Sequence, residues 1–248
     1  MKQCYNRPGV SCDLSHENTI TKRLEFILDT IELQKDQTVL DIGAGLGVYS
    51  NVLSKYVKKC IGIDTNEDYL KRAKDLNKNI DLYLMPAEEL SFEDNSFDNI
   101  IMIEVLEHVH NDKKVMEEVY RVLKPGGSFI VTAPNKLFPL ETHGIRIGTK
   151  IIGSAGLGFP IVPWLPHIIR KHIANATVYT PFGLKNLLIN QNFSISKMEF
   201  LGPNFDVLLN KFPENKDLNR KVVNLFSYPE RIYPFNYFLS TIIIHAKK

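Results

Sequence analysis

The sequence is poor in the residues that mark specialised protein classes. Its 248 residues include only three cysteines, Cys4, Cys12 and Cys60, an odd number without the spacing of metal ligands. Such usage favours a reducing compartment and unpaired thiols. Lys and Arg total 30 against 28 Asp and Glu, so no broad excess of positive charge is available for a nucleic-acid backbone. We therefore expect a cytoplasmic protein without a nucleic-acid partner.

Long uninterrupted hydrophobic runs are also missing. The first residues, MKQCYNRPGV, lack the apolar segment of a secretory signal. The most membrane-like stretch, IIGSAGLGFPIVPWLP at residues 151–166, carries no charge, but three glycines and three prolines interrupt it. Those residues disfavour a continuous spanning helix, so we expect a soluble chain with one apolar segment.

Short apolar strands alternate with helical segments through the first half of the chain. The predicted strands are TVLDI (38–42), CIGID (60–64), DLYLM (81–85), FDNIIMI (97–103) and SFIVTA (128–133). This rhythm is typical of βαβ units and a mostly parallel sheet, whose ligands bind at the carboxyl ends of the strands. Two later segments, FSISKMEFL and LSTIIIHAK, predict a closing antiparallel hairpin.

Three glycines, Gly43, Gly45 and Gly47, follow the first strand in the sequence VLDIGAGLG. Glycine at such a turn lets the backbone bend sharply and approach a ligand. A dinucleotide site needs a third glycine where this chain has Val48, and a phosphate-binding P-loop needs a Gly-Lys-Ser/Thr sequence that is absent. The alternative is a tight turn that binds no ligand.

An acidic residue, Asp64, ends the second predicted strand about 20 residues after the glycine turn. A carboxylate at this position can accept hydrogen bonds from both hydroxyls of a ribose. Because the features that bind phosphate are missing, the pattern predicts a nucleoside ligand that carries no phosphate.

Four segments agree in order and spacing with one enzyme family. VLDIGAGLG, GIDTNEDYL, PAEELSFEDNSFDNIIMIEVLEHV and RVLKPGGSFIVTAPN resemble the class I S-adenosylmethionine-dependent methyltransferases, over residues 20–135. The resemblance implies an α/β protein with a Rossmann-like, seven-stranded, mostly parallel sheet and a closing antiparallel hairpin. One departure is Pro86, where many relatives carry Asp or Gly, and an adenine contact is lost if that residue is needed.

The resemblance also implies a site for S-adenosylmethionine. The glycine turn would wrap the methionine part, Asp64 would hold the ribose, and the segment after Pro86 would lie beside the adenine. Arg23, upstream of the turn, is a candidate partner for the cofactor carboxylate, with a solvated surface arginine as the alternative. The full predicted cofactor set is Arg23, Asp41, Gly43, Gly45, Gly47, Asp64, Thr65, Ala87, Glu88, Ile103 and Glu104.

Two carboxylates and an imidazole follow the fourth strand in IEVLEHV, namely Glu104, Glu107 and His108. If this segment is helical, the spacing i, i+3 and i+4 places all three on one side, where they can hold a divalent ion such as Mg. The segment is similar to the Glu-x-x-Glu-His segment of the O-methyltransferases of ubiquinone biosynthesis, which implies metal assistance. The alternative is that Glu104 contacts the cofactor and His108 only packs.

Methyl transfer from a sulfonium is an in-line displacement that depends mainly on alignment, but an oxygen nucleophile also needs a base. Histidine suits this task near neutral pH. His108 and His143 are the two candidates, and His143 lies just beyond the fifth strand, where the acceptor is expected. A surface histidine is the alternative for His143.

We predict a single methyltransferase domain in four parts. Residues 1–36 form an N-terminal helical cap, 37–133 the cofactor-binding core, 134–180 an apolar lid inserted after strand 5, and 181–248 a C-terminal helix and strands. The insertion contains the only tryptophan, and cations flank its apolar part within 146–172. It fits peripheral contact with an anionic membrane, a lid over a hydrophobic pocket, or a packed core segment.

These expectations combine into a methyltransferase that uses S-adenosylmethionine and methylates a small, hydrophobic acceptor on a hydroxyl oxygen, such as a quinone precursor or a lipid. Methylation of carbon, or of a sugar hydroxyl, is the alternative within enzymes. A cofactor-binding module that regulates a partner without catalysis is the alternative outside them. The sequence leaves the acceptor, the metal and the oligomeric state open.

Overall fold

The computed structural model describes residues 17–77, 79–141, 144–147, 149–152, 159–202 and 234–248. The α-helices within these ranges are α1 (Glu17–Thr30), α2 (Val48–Leu53), α3 (Glu67–Leu76), α4 (Asp112–Val122), α5 (His167–Ile173) and α6 (Pro181–Ile189). The strands are β1 (Thr38–Ile42), β2 (Lys59–Asp64), β3 (Asp81–Leu84), β4 (Phe97–Met102), β5 (Leu123–Pro134), β6 (Leu140–Glu141), β7 (Ile145–Ile147), β8 (Lys150–Ile152), β9 (Phe159–Pro160), β10 (Ser194–Leu201) and β11 (Thr241–Lys247).

Seven of these strands form one sheet in the order β10-β11-β5-β4-β1-β2-β3. The five strands from β5 to β3 are parallel, whereas β11 is antiparallel both to β5 and to β10. The order changes direction at β1, which lies between β4 and β2, and ligands of open α/β sheets bind at such a switch point. The predicted Rossmann-like sheet with its antiparallel hairpin is confirmed.

Both faces of the sheet are buried, as expected of parallel strands flanked by helices. On one face Leu40, Ile100 and Phe129 belong to a cluster completed by α4 and α6. On the other face the alternate residues Val39 and Ile101 pack with α1 and α2. Consecutive residues of the central strands therefore enter different cores, and their carboxyl ends are held at one common edge.

The caps of two helices follow their sequences closely. Thr180 accepts a hydrogen bond from the backbone N–H of Gly183 at 3.0 Å, with Pro181 in the first turn of α6. Asn66 caps α3 in the same way through the N–H of Tyr69 at 3.0 Å. These caps start each helix at a defined residue after the strand or loop before it.

The insertion between β5 and α6 holds more regular structure than its loop-rich composition predicted. It contains the antiparallel pairs β6–β9 and β7–β8, and α5 packs against β7. The four-part division of the chain, with residues 134–180 as a lid, stays a prediction. Within the described ranges, none of the helices has the length and apolarity needed to cross a membrane.

The turn that opens β5 yields a prediction about stability. A Cβ on Gly127 would lie 2.8 Å from the backbone oxygens of Asp98 and Lys124, whereas one on Gly126 would meet nothing within 4 Å. We expect Gly127→Ala to lower the free energy of unfolding in urea by about 3 kcal/mol because the backbone must shift. Gly126→Ala, at φ 77°, should cost only about 1 kcal/mol for its left-handed conformation. Equal losses would contradict this packing.

Candidate cofactor and active site

The glycine turn between β1 and α2 has three left-handed residues. Gly43, Gly45 and Gly47 have φ angles of 74°, 54° and 75°, a region that glycine enters without steric cost. A Cβ on Gly43 would lie 2.1 Å from the side chain of Val105, so this position has no room for one. A Cβ on Gly45 would meet nothing within 4 Å. The turn therefore exposes its backbone at Gly45 to open space.

Asp64 links this turn to the end of β2. Its Oδ2 accepts a hydrogen bond from the N–H of Gly45, and its Oδ1 accepts one from the N–H of Asn66, each at 2.8 Å. The backbone N–H groups of Gly43 and Ala44 donate to the carbonyl of Ile63 at 2.8 and 2.9 Å. Each carboxylate oxygen still has acceptor capacity for a ligand, because a carboxylate has about four lone-pair sites.

A cavity of about 550 Å³ opens beside Asp64 at the carboxyl ends of β1, β2 and β4. Its volume is ordinary for a site that binds a small molecule. Eight residues of the predicted cofactor and catalytic sets line it, namely Gly43, Gly45, Asp64, Thr65, Ala87, Glu88, Glu104 and His108. The structure thus brings these eight predicted residues together at one cavity, and their roles stay predictions.

The remaining wall includes side chains that the sequence analysis missed, among them Tyr69, Met85, Val109 and His110. Tyr69 belongs to the first turn of α3, and its N–H donates to the side chain of the N-cap Asn66. The asparagine before this helix is therefore the sequence signal that would have placed Tyr69 near the end of β2. Glu88 accepts a hydrogen bond from the N–H of His110 at 2.9 Å. That bond holds the segment after β4 against the segment after β3, across the cavity.

Glu104 adopts a left-handed conformation, with φ 58°, which is uncommon for a residue with a side chain. Thr132 on β5 accepts its backbone N–H at 2.8 Å and lies 3.1 Å from its carboxylate. Arg23 on α1 forms an ion pair with the same carboxylate at 2.8 Å. Strand β5 and helix α1 thereby fix a strained residue at the mouth of the cavity.

The side chain of Arg23 is only 11% exposed, so the alternative of a solvated surface arginine is wrong. Burial disfavours the charge of its guanidinium, but the carboxylate of Glu104, with smaller contributions from Tyr49 and Glu107, raises the pKa of Arg23 above its ordinary value. Its Nε is buried and has no acceptor among the described residues. Arg23 is not part of the cavity wall and reaches it through Glu104, which lines the cavity. A buried N–H group at that place suits an anionic ligand group.

The premise of the predicted metal site is wrong. The left-handed Glu104 precedes a short 3₁₀ turn at Leu106–His108, so the three residues do not share one helical face. The side chain of Glu107 is buried, that of His108 is 47% exposed, and their nearest atoms are 4.0 Å apart. Across the described residues, no group of three His, Cys, Asp or Glu side chains can hold a metal ion.

Four other predicted residues lie away from the cavity wall or outside the described residues. Asp41 is fully buried and accepts a hydrogen bond from the hydroxyl of Ser50. Ile103 is buried in the core, and Gly47 starts α2. His143 lies outside the described residues. His108 is therefore the one candidate base whose position beside the cavity is described.

Comparisons with known proteins agree with this fold. Residues 40–131 match the family described as methyltransferase domain. The chain is 26% identical over 212 residues to a ubiquinone biosynthesis O-methyltransferase of Coxiella burnetii, covering 83% of each. It is 31% identical over 134 residues to the sterol 24-C-methyltransferase erg-4 of Neurospora crassa, covering 51% of this chain and 35% of that one.

Solved structures share the fold over nearly the whole chain. A crystal structure described as a putative S-adenosylmethionine-dependent methyltransferase from Listeria monocytogenes superimposes with a TM-score of 0.64 at 19% identity, covering 95% of this chain and 99% of that one. The chain spans about half or less of the length of the first six curated relatives it matches.

The burial of Asp41 predicts a pH dependence of stability. Desolvation raises the pKa of this carboxyl from its ordinary 3.8 to about 7. The unfolded chain therefore releases the proton at lower pH than the folded chain does, and the folded state loses stability as pH rises from about 4 to about 7. As pH rises across that range, we expect the free energy of unfolding of Asp41→Asn to increase relative to that of the natural chain by about 4 kcal/mol. Urea unfolding at several pH values measures this difference.

The control is Glu117→Gln on the exposed side of α4, which removes a carboxyl without removing a buried charge. Its unfolding free energy should follow that of the natural chain at every pH. A difference between Asp41→Asn and the natural chain that stays constant with pH would contradict the burial of a titrating group at this position.

Proposed function

Because the chain carries a class I S-adenosylmethionine-dependent methyltransferase domain, we propose that it transfers a methyl group from this cofactor to a hydroxyl oxygen of a small, hydrophobic acceptor. The observation that carries the proposal is that Asp64 accepts the N–H of Gly45 at the wall of one cavity, where the space next to Gly45 is open. A nucleoside recognised by its ribose and joined to an amino-acid tail matches that combination of groups.

The residues present fit the cofactor on three observations. Asp64 has free acceptor capacity for the ribose hydroxyls, and Gly45 leaves room for the chain that joins ribose to sulfur. Met85, Ala87 and Val109 line the same cavity and offer an apolar slot for the adenine. The buried Nε of Arg23 is the group we assign to the methionine carboxylate.

When bound, the cofactor supplies an electrophilic methyl group on a sulfonium. The protein then needs to align the acceptor with that methyl, exclude competing water and remove one proton. Glu104 and Val105 form the wall next to Gly43, and the insertion after β5 continues from the strand that supports Glu104. His108 lines the cavity and has an exposed imidazole. We assign it the role of the base that accepts the proton of the acceptor hydroxyl.

The choice of oxygen over carbon rests on His108 and on the relative with the longest shared region among those compared, an O-methyltransferase of ubiquinone biosynthesis. The sterol 24-C-methyltransferase matches over a shorter segment and supports carbon methylation as the second candidate. Both acceptors are hydrophobic. The cytoplasmic location and the lack of a nucleic-acid partner remain predictions from composition.

Cofactor affinity tests the assignment of Asp64. We expect Asp64→Ala to weaken binding of S-adenosylhomocysteine by about 1–3 kcal/mol, because the ribose hydroxyls and the Gly45 N–H lose a charged acceptor. Isothermal titration calorimetry measures the change. Asp75→Ala, at the exposed end of α3, is the matched control and should bind as the natural chain does. Unchanged affinity in Asp64→Ala would refute the ribose assignment.

The base distinguishes oxygen from carbon methylation. With a catechol-type hydroxylated prenyl ring as acceptor, we expect His108→Ala to lower kcat by about 10²–10⁴-fold, while cofactor affinity stays within threefold, roughly. His110→Ala serves as comparison, because only the backbone of His110 is used to bond Glu88. His110→Ala should lower kcat by less than about tenfold. Full turnover of this acceptor by His108→Ala would refute the assignment of His108 as the base.

A further inference from the structure

The chain has no aspartate or glutamate between Glu141 and Glu199, although it has 28 acidic residues in 248. The same stretch contains six Lys and Arg residues, namely Arg146, Lys150, Arg170, Lys171, Lys185 and Lys197. The near-balance of charge in the whole chain therefore conceals a strong separation. From residue 142 to residue 198, which covers most of the insertion after β5 and the whole of α6, all the charged side chains other than histidine are basic, and the cofactor-binding core carries most of the acidic residues.

The basic stretch also exposes large apolar side chains. Trp164, the only tryptophan of the chain, is 53% exposed, and Ile161 just before it is 59% exposed. On α5, Ile168 is 73% exposed and Ile169 is 48% exposed. Single exposed apolar residues are ordinary, but four within nine residues of chain form a surface that needs an explanation. These four side chains are not part of a packed core.

The orientation of α5 explains why its isoleucines face outward. At 100° per residue, Ile168, Ile169 and His172 fall within about 100° of one another around the helix, and Arg170 lies on the opposite side. Arg170 is buried and donates a hydrogen bond to the carbonyl of Ala176 at 2.9 Å. Burial lowers the pKa of Arg170, and the nearby carboxylate of Glu141 opposes that shift. Arg170 is thus an internal anchor of α5 and not one of the surface cations that the sequence suggested.

Exposed cations lie on the hairpin next to α5, one on each of its faces. Helix α5 packs against β7, and the β7–β8 hairpin carries Arg146 and Lys150, both exposed. Tryptophan and aliphatic side chains near lysine and arginine are typical of segments that lie in the interface of a bilayer. Each cation near an anionic lipid surface adds attraction, and a neighbouring carboxylate would oppose it. The stretch contains no such carboxylate.

We propose that this surface, the lid face, docks on an anionic phospholipid bilayer. The lid face comprises Ile161, Trp164, Ile168 and Ile169 as the apolar part, with Arg146 and Lys150 as cations. With the insertion on the bilayer, the acceptor of the proposed function is a lipid-dissolved molecule. That last step rests on the proposed function, whereas binding to the bilayer does not.

The single tryptophan makes the test direct. The full chain is mixed with vesicles of phosphatidylcholine alone or with phosphatidylglycerol added, and Trp164 fluorescence is recorded. We expect a blue shift, quenching by lipids brominated on their acyl chains, and co-sedimentation, all only with the anionic vesicles and weaker at high salt. Trp164 fluorescence that does not change with anionic vesicles would overturn the proposal. Equal binding to vesicles with and without phosphatidylglycerol would overturn it as well.

Two variants separate the apolar and charged contributions. We expect Ile168→Asp combined with Ile169→Asp, and separately Arg146→Glu combined with Lys150→Glu, to lower the sedimented fraction at least about tenfold. Leu84→Asp on β3, at a residue 61% exposed, is the matched control and should sediment as the natural chain does. Cooperative urea unfolding verifies that every variant is folded. Losses as large in Leu84→Asp would overturn the assignment to the lid face.

Failure of this inference is distinguishable from failure of the proposed function. A chain that binds the cofactor and methylates an acceptor in detergent but ignores anionic vesicles keeps the proposed function and loses the lid face. A chain that binds vesicles but neither cofactor nor acceptor keeps the lid face and loses the function. Apolar docking on another protein would leave Trp164 unquenched by brominated lipid, which contradicts the proposal.

Discussion

The carboxylate of Asp64 is the interaction on which the site depends. By accepting the N–H groups of Gly45 and Asn66, it ties the turn after β1 to the start of α3 and leaves acceptor capacity facing the cavity. The two parts of the chain meet at the switch point of the sheet, where β1 lies between β4 and β2. A single side chain thus sets both the shape of the turn and the polarity of the cavity wall.

The opposite wall depends on a second charge pair. Arg23 and Thr132 hold Glu104 in its left-handed conformation, so α1 and β5 both contribute to a segment that belongs to neither. Strand β5 then continues into the insertion, which returns to the same segment where the N–H of Thr177 donates to the carbonyl of Glu107 at 2.9 Å. Cofactor site, proposed base and insertion are therefore parts of one connected structure.

The sequence predicted the features that local chemistry determines. Strand periodicity gave the sheet, the glycine spacing gave the turn, and the carboxylate at the end of β2 gave Asp64. Local patterns fail where tertiary contacts decide. The metal site required a helix around Glu104, but Arg23 and Thr132 hold this residue in a left-handed conformation. Arg170 looked like a surface cation, yet burial beside Glu141 makes it an anchor. No local pattern distinguishes those outcomes.

The central claim is that the glycine turn and Asp64 together bind an adenosyl group without phosphates. Isothermal titration calorimetry on the intact chain tests it most directly, with S-adenosylmethionine, S-adenosylhomocysteine and NADH each titrated separately. The account predicts saturable one-to-one binding of the two sulfur compounds and no heat from NADH. Binding of NADH with no response to either sulfur compound would contradict it.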